Sequence, residues 1–263
     1  MKGWILILFG ACLLSQALSA KIDYCSTPYC GFRNVACHNN VSFSSCPNHP
    51  QLLKMNRYIT RFAETLNAAR NKVATGKFRN LPVAARMAKV VWSQELSWFA
   101  QLMLSNCNPD PHECMSSPNF YYIGNIYEHS SVPIEMVTFT NFAILMGMLE
   151  SWLKDIKGIP KRHTLRLPSS MPRASTLDSA LMISERLSHF GCAAVLSENS
   201  EKRDYNFMCT FATDIFPGQR LYSWGRTPGC HCKQLDTRFK GLCSTKEEYY
   251  NNRPSKFGGS MFI

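Results

Sequence analysis

His189-Phe190-Gly191-Cys192-Ala193-Ala194-Val195-Leu196 is answered, after a polar turn from Glu198 to Asp204, by Tyr205-Asn206-Phe207-Met208-Cys209-Thr210-Phe211-Ala212. Both runs are short, apolar and rich in residues that suit a pleated sheet, so they read as the two arms of a hairpin. Each arm carries one cysteine, and the hairpin brings Cys192 and Cys209 within bonding reach. Closing a loop of that size stabilises by about 3 kcal/mol in the chain-entropy estimate. The hairpin is the expected centre on which flanking helices pack.

Working outward, Ile59, Phe62, Ala63, Leu66 and Ala69 follow helical spacing, and Gly76 supplies a stop. A second helix is expected with Trp92, Leu96, Phe99 and Met103 on one stripe, ending near Cys107. Asn108 to Pro118 reads as a polar loop holding Cys114, and Phe120-Tyr121-Tyr122-Ile123 as a strand. A third helix is expected from Thr140 to Lys157, with Phe142, Leu145, Leu149 and Trp152 inward and Gly158 and Pro160 ending it. Ile159 to Ala174 reads as a basic loop, and Thr176 to Ser188 as a fourth helix with Leu177, Leu181 and Leu187. Helices alternating with few strands, without a regular strand-helix-strand rhythm, favour an α+β domain with helices packed on a small sheet.

The start of the chain has the pattern of a cleaved secretory signal over residues 1–20. Lys2 precedes an apolar run from Trp4 to Leu14, then small residues at Ala17, Ser19 and Ala20. That run is short of the roughly 20 apolar residues that span a bilayer, and no later stretch supplies a membrane span. A secreted, extracellular protein is expected. Of the 12 cysteines, Cys12 leaves with the signal; the rest, in an oxidising compartment, read as a disulfide framework. Their number is then odd, which leaves one thiol over. Asn40-Val41-Ser42 is a glycosylation sequon, so Asn40 is a candidate acceptor. The formal charge of +11 suits acidic surfaces or glycans. Scattered basic residues on an extracellular chain argue against nucleic acid. Four segments follow: the signal at 1–20, a cysteine-rich N-terminal segment at 21–57, the main domain at 58–222, and a basic cysteine-containing tail at 223–263.

Several stretches resemble the CAP superfamily of cysteine-rich secretory, antigen-five and pathogenesis-related proteins. Met87-x-x-Val90-x-Trp92-x-x-Glu95-Leu96-x-x-x-Ala100 with Cys107 resembles the family's second-helix signature, and Asn67-x-x-Arg70 its first-helix motif. Gly191-Cys192 and Met208-Cys209 resemble its hairpin, and Gly124-Asn125-Ile126 its short Gly-acid/amide-Asn loop with the leading residue changed. Tyr24-Cys25 through Cys30, Ala36-Cys37 and Cys46 resemble the insect antigen-five, or venom-allergen-like, branch. The resemblance implies an α-β-α sandwich. It also implies bridges Cys25–Cys37, Cys30–Cys114, Cys46–Cys107 and Cys192–Cys209, with Cys243 pairing either Cys230 or Cys232.

Many members of that family hold a divalent cation with two histidines and two acidic residues, a donor set suited to zinc. The matching positions here are Leu66, Gly124, Asp155 and Asp178. Both imidazoles are missing and two carboxylates survive, so the cation site reads as degenerate and no cofactor is expected. Asp155 reads as a last-turn helix carboxylate beside Lys154 and Lys157, and Asp178 as a first-turn charge. His189 reads as a structural histidine beside the hairpin cysteine, and His129 as solvated in a polar loop next to Glu128. His38, His49, His112, His163 and His231 lie in loops without ligand spacing, and His231 among three tail cysteines lacks the spacing of structural zinc.

No G-x-S-x-G elbow, H-E-x-x-H or glycine-rich phosphate loop is present. A secreted cysteine protease needs a thiol left out of the bridges with a histidine at hand; Cys232 beside His231 is the only local candidate, and adjacent residues in a tail seldom form a positioned dyad. The expectation is a secreted, non-catalytic binding or effector module, monomeric, of reproductive, salivary or venom-type secretion, with an extracellular protein, glycan or lipid as partner. Two alternatives stand beside it. One is a lipid or sterol carrier using a groove lined by Phe139, Phe142, Met146 and Met148; the other is a metal-dependent activity at the residual acidic cleft.

Overall fold

A computed structural model describes residues 22–48, 50–136, 138–170 and 174–257. The signal pattern at 1–20 and His49 lie outside the described residues. The helices are α1 (Ile59–Ala74), α2 (Gln94–Ser105), α3 (Asn141–Lys154), α4 (Lys161–Leu165) and α5 (Ala174–Met182). The strands are β1 (Gln51–Leu52), β2 (Val91–Trp92), β3 (Gly124–Pro133), β4 (His189–Glu198) and β5 (Lys202–Phe211).

The hairpin is the middle of the sheet. β4 and β5 pair antiparallel with Cys192 opposite Cys209, and their Cα atoms are 4.0 Å apart beneath a disulfide. Both arms run further than their apolar cores: β4 continues to Glu198 and β5 starts at Lys202, leaving a three-residue turn. Strand order is β1-β4-β5-β3, with β2 added parallel to β4.

Helices cover both faces, giving an α-β-α sandwich. On one face Phe62 and Leu66 of α1, Leu145, Leu149 and Trp152 of α3, and Leu181 of α5 pack on Phe190, Cys192, Phe207 and Cys209. On the other, Leu96, Phe99, Leu102 and Met103 of α2 pack on Ala193, Val195 and Met208. The alternation of side chains along a strand divides one hairpin between two cores. Gly191 sets how closely α2 approaches, since a Cβ there would lie 2.0 Å from the Ser97 nitrogen. Ser97 Oγ donates to Cys192 O at 2.9 Å, and Thr210 Oγ1 donates to Leu96 O at 2.7 Å, so helix and hairpin are also joined by hydrogen bonds.

The Asn67-x-x-Arg70 pair is a clamp. Asn67 exchanges two hydrogen bonds with the Val90 backbone. The fully buried Arg70 guanidinium donates to Ala88 O from Nε and Nη2, and to Met182 O and Ser184 O from Nη1. Burial pulls this guanidinium down to about 9, still charged at neutral pH. It takes up carbonyls that the end of α5 leaves without partners. Helix α5 therefore stops at Met182 rather than Ser188, and Leu187 is buried beyond it. Leu177, expected inward, is 41% exposed.

Four other expectations change. Trp92 lies in β2 rather than α2: Ser93 caps the helix by accepting from Leu96 N, and Trp92 packs edge-on against Phe190 in the opposite core. Phe120–Ile123 is irregular chain that follows a turn closed by reciprocal Ser117–Phe120 backbone bonds, and the strand begins at Gly124. The basic 159–174 segment contains α4. Helix α3 ends at Lys154, and a 3-10 turn carries the chain over Asp155–Gly158.

Five disulfides brace the domain: Cys25–Cys37, Cys30–Cys114, Cys46–Cys107, Cys192–Cys209 and Cys232–Cys243. Cys230 is free and exposed. The tail packs on the domain, where Cys243 N donates to Met87 O and Cys243 O accepts from Lys89 N.

Candidate functional site

The four family positions fall on the α1/α3/α5 side of the sheet, with unequal chemistry. Leu66 is fully buried in one apolar cluster with Ile126, Trp152, Leu181 and Phe207. At Gly124 a Cβ would lie 2.8 Å from Thr213 O, 3.1 Å from Asp214 Oδ1 and 3.2 Å from the Leu181 side chain, so a carboxylate-bearing side chain has no room. Asp155 begins the 3-10 turn after α3, and its carboxylate accepts from the Ser175 hydroxyl. Asp178 lies in the middle of α5 rather than in its first turn. Burial, and secondarily the Glu128 charge, push Asp178 up to about 6.

Sequence reasoning missed two carboxylates. Glu128 and His129 lie on β3, not in a loop. Residues 124, 126 and 128 alternate onto one face of the strand, a period-2 signal that counting from Gly124 could have found. Glu128 accepts from Ser151 Oγ at 2.8 Å, which ties the strand to α3. Asp214 stands against Gly124 and is pushed up to about 6 by burial, although its Oδ1 accepts from Ile215 N at 2.8 Å. Nothing in its local sequence marks it, because its neighbours come from β3 and α5.

Among the described residues, no histidine supplies the missing donors. His129 Nε2 lies 3.4 Å from Asp204 Oδ1, which Lys202 Nζ also approaches at 3.1 Å. That trio lines a cavity of about 270 Å³ with Tyr127, Asn206 and the Cys46–Cys107 bridge, on the α2 side of the sheet. His189 is half-buried and its imidazole is lowered by burial, as expected of a structural residue. His163 is buried, whereas His38, His112 and His231 are exposed. Cys25, Cys37 and His38 lie close together, but both sulfurs are spent in a disulfide and offer no thiolate to a metal.

This side of the sheet thus carries two hydroxyl-bonded carboxylates, Asp155 and Glu128, with an alkyl side chain at one imidazole position and Asp178 at the other. Among the described residues, these carboxylates do not come together as a group of three ligand atoms.

The chain belongs to the cysteine-rich secretory protein (CAP) family, whose model matches residues 63–211. It is 26% identical to Tabinhibitin 6 of Tabanus yao over 93% of this chain and 95% of that one. It is 27% identical to Venom allergen-1 of Aedes albopictus over 89% of this chain and 93% of that one. These are insect antigen-five-like CAP proteins. Among solved structures, NaASP2 with Zn2+ superposes with a TM-score of 0.56 at 20% identity, covering 76% of this chain and all of its own. BmVAL-1 superposes with a TM-score of 0.55 at 20% identity, covering 76% of this chain and 98% of its own. They share the CAP fold. Among the described residues no helix is long and apolar enough to cross a membrane.

Proposed function

We propose that this chain is a secreted, non-catalytic CAP module that acts by binding an extracellular partner, with a cation site that has degenerated. The observation that carries this is Leu66, sealed inside the apolar cluster at a position where the family places an imidazole. NaASP2 was solved with Zn2+; this chain has a leucine, a glycine and two aspartates at the family's cation positions. Five disulfides among the described residues support folding in an oxidising compartment. Likeness to a venom allergen supports a place in an exported secretion. Ser188 Oγ meets His189 Nδ1 at 2.9 Å, but Asn251 Nδ2 also donates to that hydroxyl at 2.9 Å. The hydroxyl is held between neighbours, and no carboxylate is bonded to the imidazole to orient it as a base.

Calorimetric titration of the exported protein with zinc and with calcium tests the reading. No heat at millimolar metal is expected, and micromolar binding lost in Asp155→Asn or Asp178→Asn would overturn it. Lipid carriage is a second reading with its own observation. Phe139 and Met136 are 65% and 62% exposed beside the half-buried Phe142 and Met146, whereas Met148 belongs to the core. Native mass spectrometry would show a co-purifying lipid if that reading is right, and bare polypeptide mass if it is not.

A further inference from the structure

Between Asp155 and Asp178 the chain carries Lys157, Lys161, Arg162, Arg166 and Arg173, with no Asp or Glu. The structure concentrates part of this excess at α4. Leu221 N donates to Thr164 O, Leu167 N to Gln219 O and Gly218 N to Leu167 O, so α4 and its exit are laced to residues 217–221. Trp224 Nε1 donates to Thr164 Oγ1, and Lys161 Nζ lies 4.9 Å from the centre of its ring. This lacing brings Arg220 beside α4.

Arg162 and Arg166 line one cavity of about 590 Å³ with His163, Pro168 and Pro217. Arg162 Nε donates to Nε2 of the buried His163 at 3.3 Å, which orients the guanidinium and leaves its outer N–H groups for another acceptor. Among the described residues, no carboxylate comes within 4.0 Å of Lys157, Lys161, Arg162 or Arg166. Arg220 reaches Glu185 only at 4.0 Å. Elsewhere Arg61, Arg86, Lys89, Lys202, Arg203 and Arg238 each meet an acid, while exposed Lys54, Arg57, Lys77 and Lys233 do not; what sets this edge apart is two guanidinium-bearing residues lining one cavity.

The geometry points to a docking site for a sulfated glycosaminoglycan at this edge, with Arg162 and Arg166 gripping sulfate or carboxylate groups and Lys161 and Arg220 extending the track. Planar guanidinium forks suit bidentate contact with such oxyanions, and Arg162 and Arg166, which meet no carboxylate among the described residues, need break no ion pair to make it. The partner must carry repeated negative charge because the cations are spread along a surface, and a chain displayed outside the cell is what such glycans meet. The inference rests on the extracellular reading above and names its partner.

The test uses full-length protein expressed in insect cells and immobilised heparin as probe. Binding is expected, with affinity falling steeply as salt rises, by the counterion release that governs polyelectrolyte binding. Arg162→Ser with Arg166→Ser is expected to weaken binding at least about tenfold and flatten the salt dependence. Lys at both positions keeps the charge but loses the fork, and is expected to fall between. A control of equal charge loss, Lys54→Ser with Arg57→Ser, removes exposed cations outside the cavity and is expected to leave affinity within about twofold. Matching melting curves exclude misfolding. No binding of the unaltered protein, equal losses in both double variants, or binding to phosphatidylserine vesicles but not heparin would each overturn the proposal. Whether the chain is exported with residues 1–20 removed is read separately, from the mass of protein in the medium, so the two failures are distinguishable.

Discussion

The two faces of the sheet are held by different means. On the α2 face, side-chain packing is joined by contact at the backbone: a missing Cβ at Gly191, a serine on a strand carbonyl and a threonine on a helix carbonyl. On the other face α1, α3 and α5 meet the sheet through side chains, with Trp152 stacked on Phe207 at 5.1 Å and carboxylates at Glu128, Asp155 and Asp178. Backbone contact tolerates no change of residue, whereas side-chain contact permits exchange of similar volumes. A family position can therefore change from imidazole to leucine on the second face while the first stays fixed.

The sharpest way to break this comparison is Gly191→Ala. A methyl group 2.0 Å from the Ser97 nitrogen and 2.6 Å from the Leu96 carbonyl carbon has nowhere to go, because both atoms are helix backbone. A loss above about 4 kcal/mol is expected, read as failure of secretion. A well-secreted variant of unchanged melting temperature would show that α2 can slide and that the face is not rigid. A smaller effect is expected at the hairpin disulfide. Cys192→Ala or Cys209→Ala each release a bridge across 17 residues and should cost about 2–5 kcal/mol. Normal yield and melting temperature in either would place the strength of the hairpin in its ladder instead.

What the sequence showed was whatever depends on near neighbours. The hairpin was legible because apolar runs and a polar turn are local, and α1 and α3 because their inward residues repeat at helical spacing. The end of α5 was not, because it is decided by Arg70, more than a hundred residues away. Trp92 was assigned to the wrong core because an N-cap at Ser93 shifts the chain from strand to helix within one residue. Phe120–Ile123 has the composition of a strand, yet those rings pack with distant aromatics: Tyr122 on Tyr29 at 4.6 Å and on Phe216 at 4.9 Å. At the candidate site the lost donors were readable by position. Of the two further carboxylates, Glu128 was within reach of the period-2 pattern from Gly124, whereas Asp214 was not, since what makes it notable is burial against other segments.

The smallest expected effect concerns those carboxylates and separates the two faces by pH. Asp178 is raised from 3.8 to about 6 by burial and then by Glu128, and Asp214 from 3.8 to about 6 by burial. A folded-state value above the unfolded one means that folding favours the protonated acid. The stabilisation is complete below about pH 4 and is lost as pH rises through about 6. These two carboxyls favour pH 5.5 over pH 7.5, whereas His163 and His189, whose imidazoles burial lowers, favour the higher pH, so their contribution is read from variants against the parent. Asp178→Asn should raise the pH 7.5 value by about 2–3 °C, equivalent to about 1 kcal/mol once solvent screening of this half-buried group is allowed for, and flatten the profile. Glu128→Gln removes the second cause only, so it should flatten the profile less. Scanning calorimetry at the two pH values decides the matter: a difference between the two pH values that is unchanged in Asp178→Asn would show that this carboxylate is solvated, and that the pH sensitivity lies with Asp214, His163 and His189.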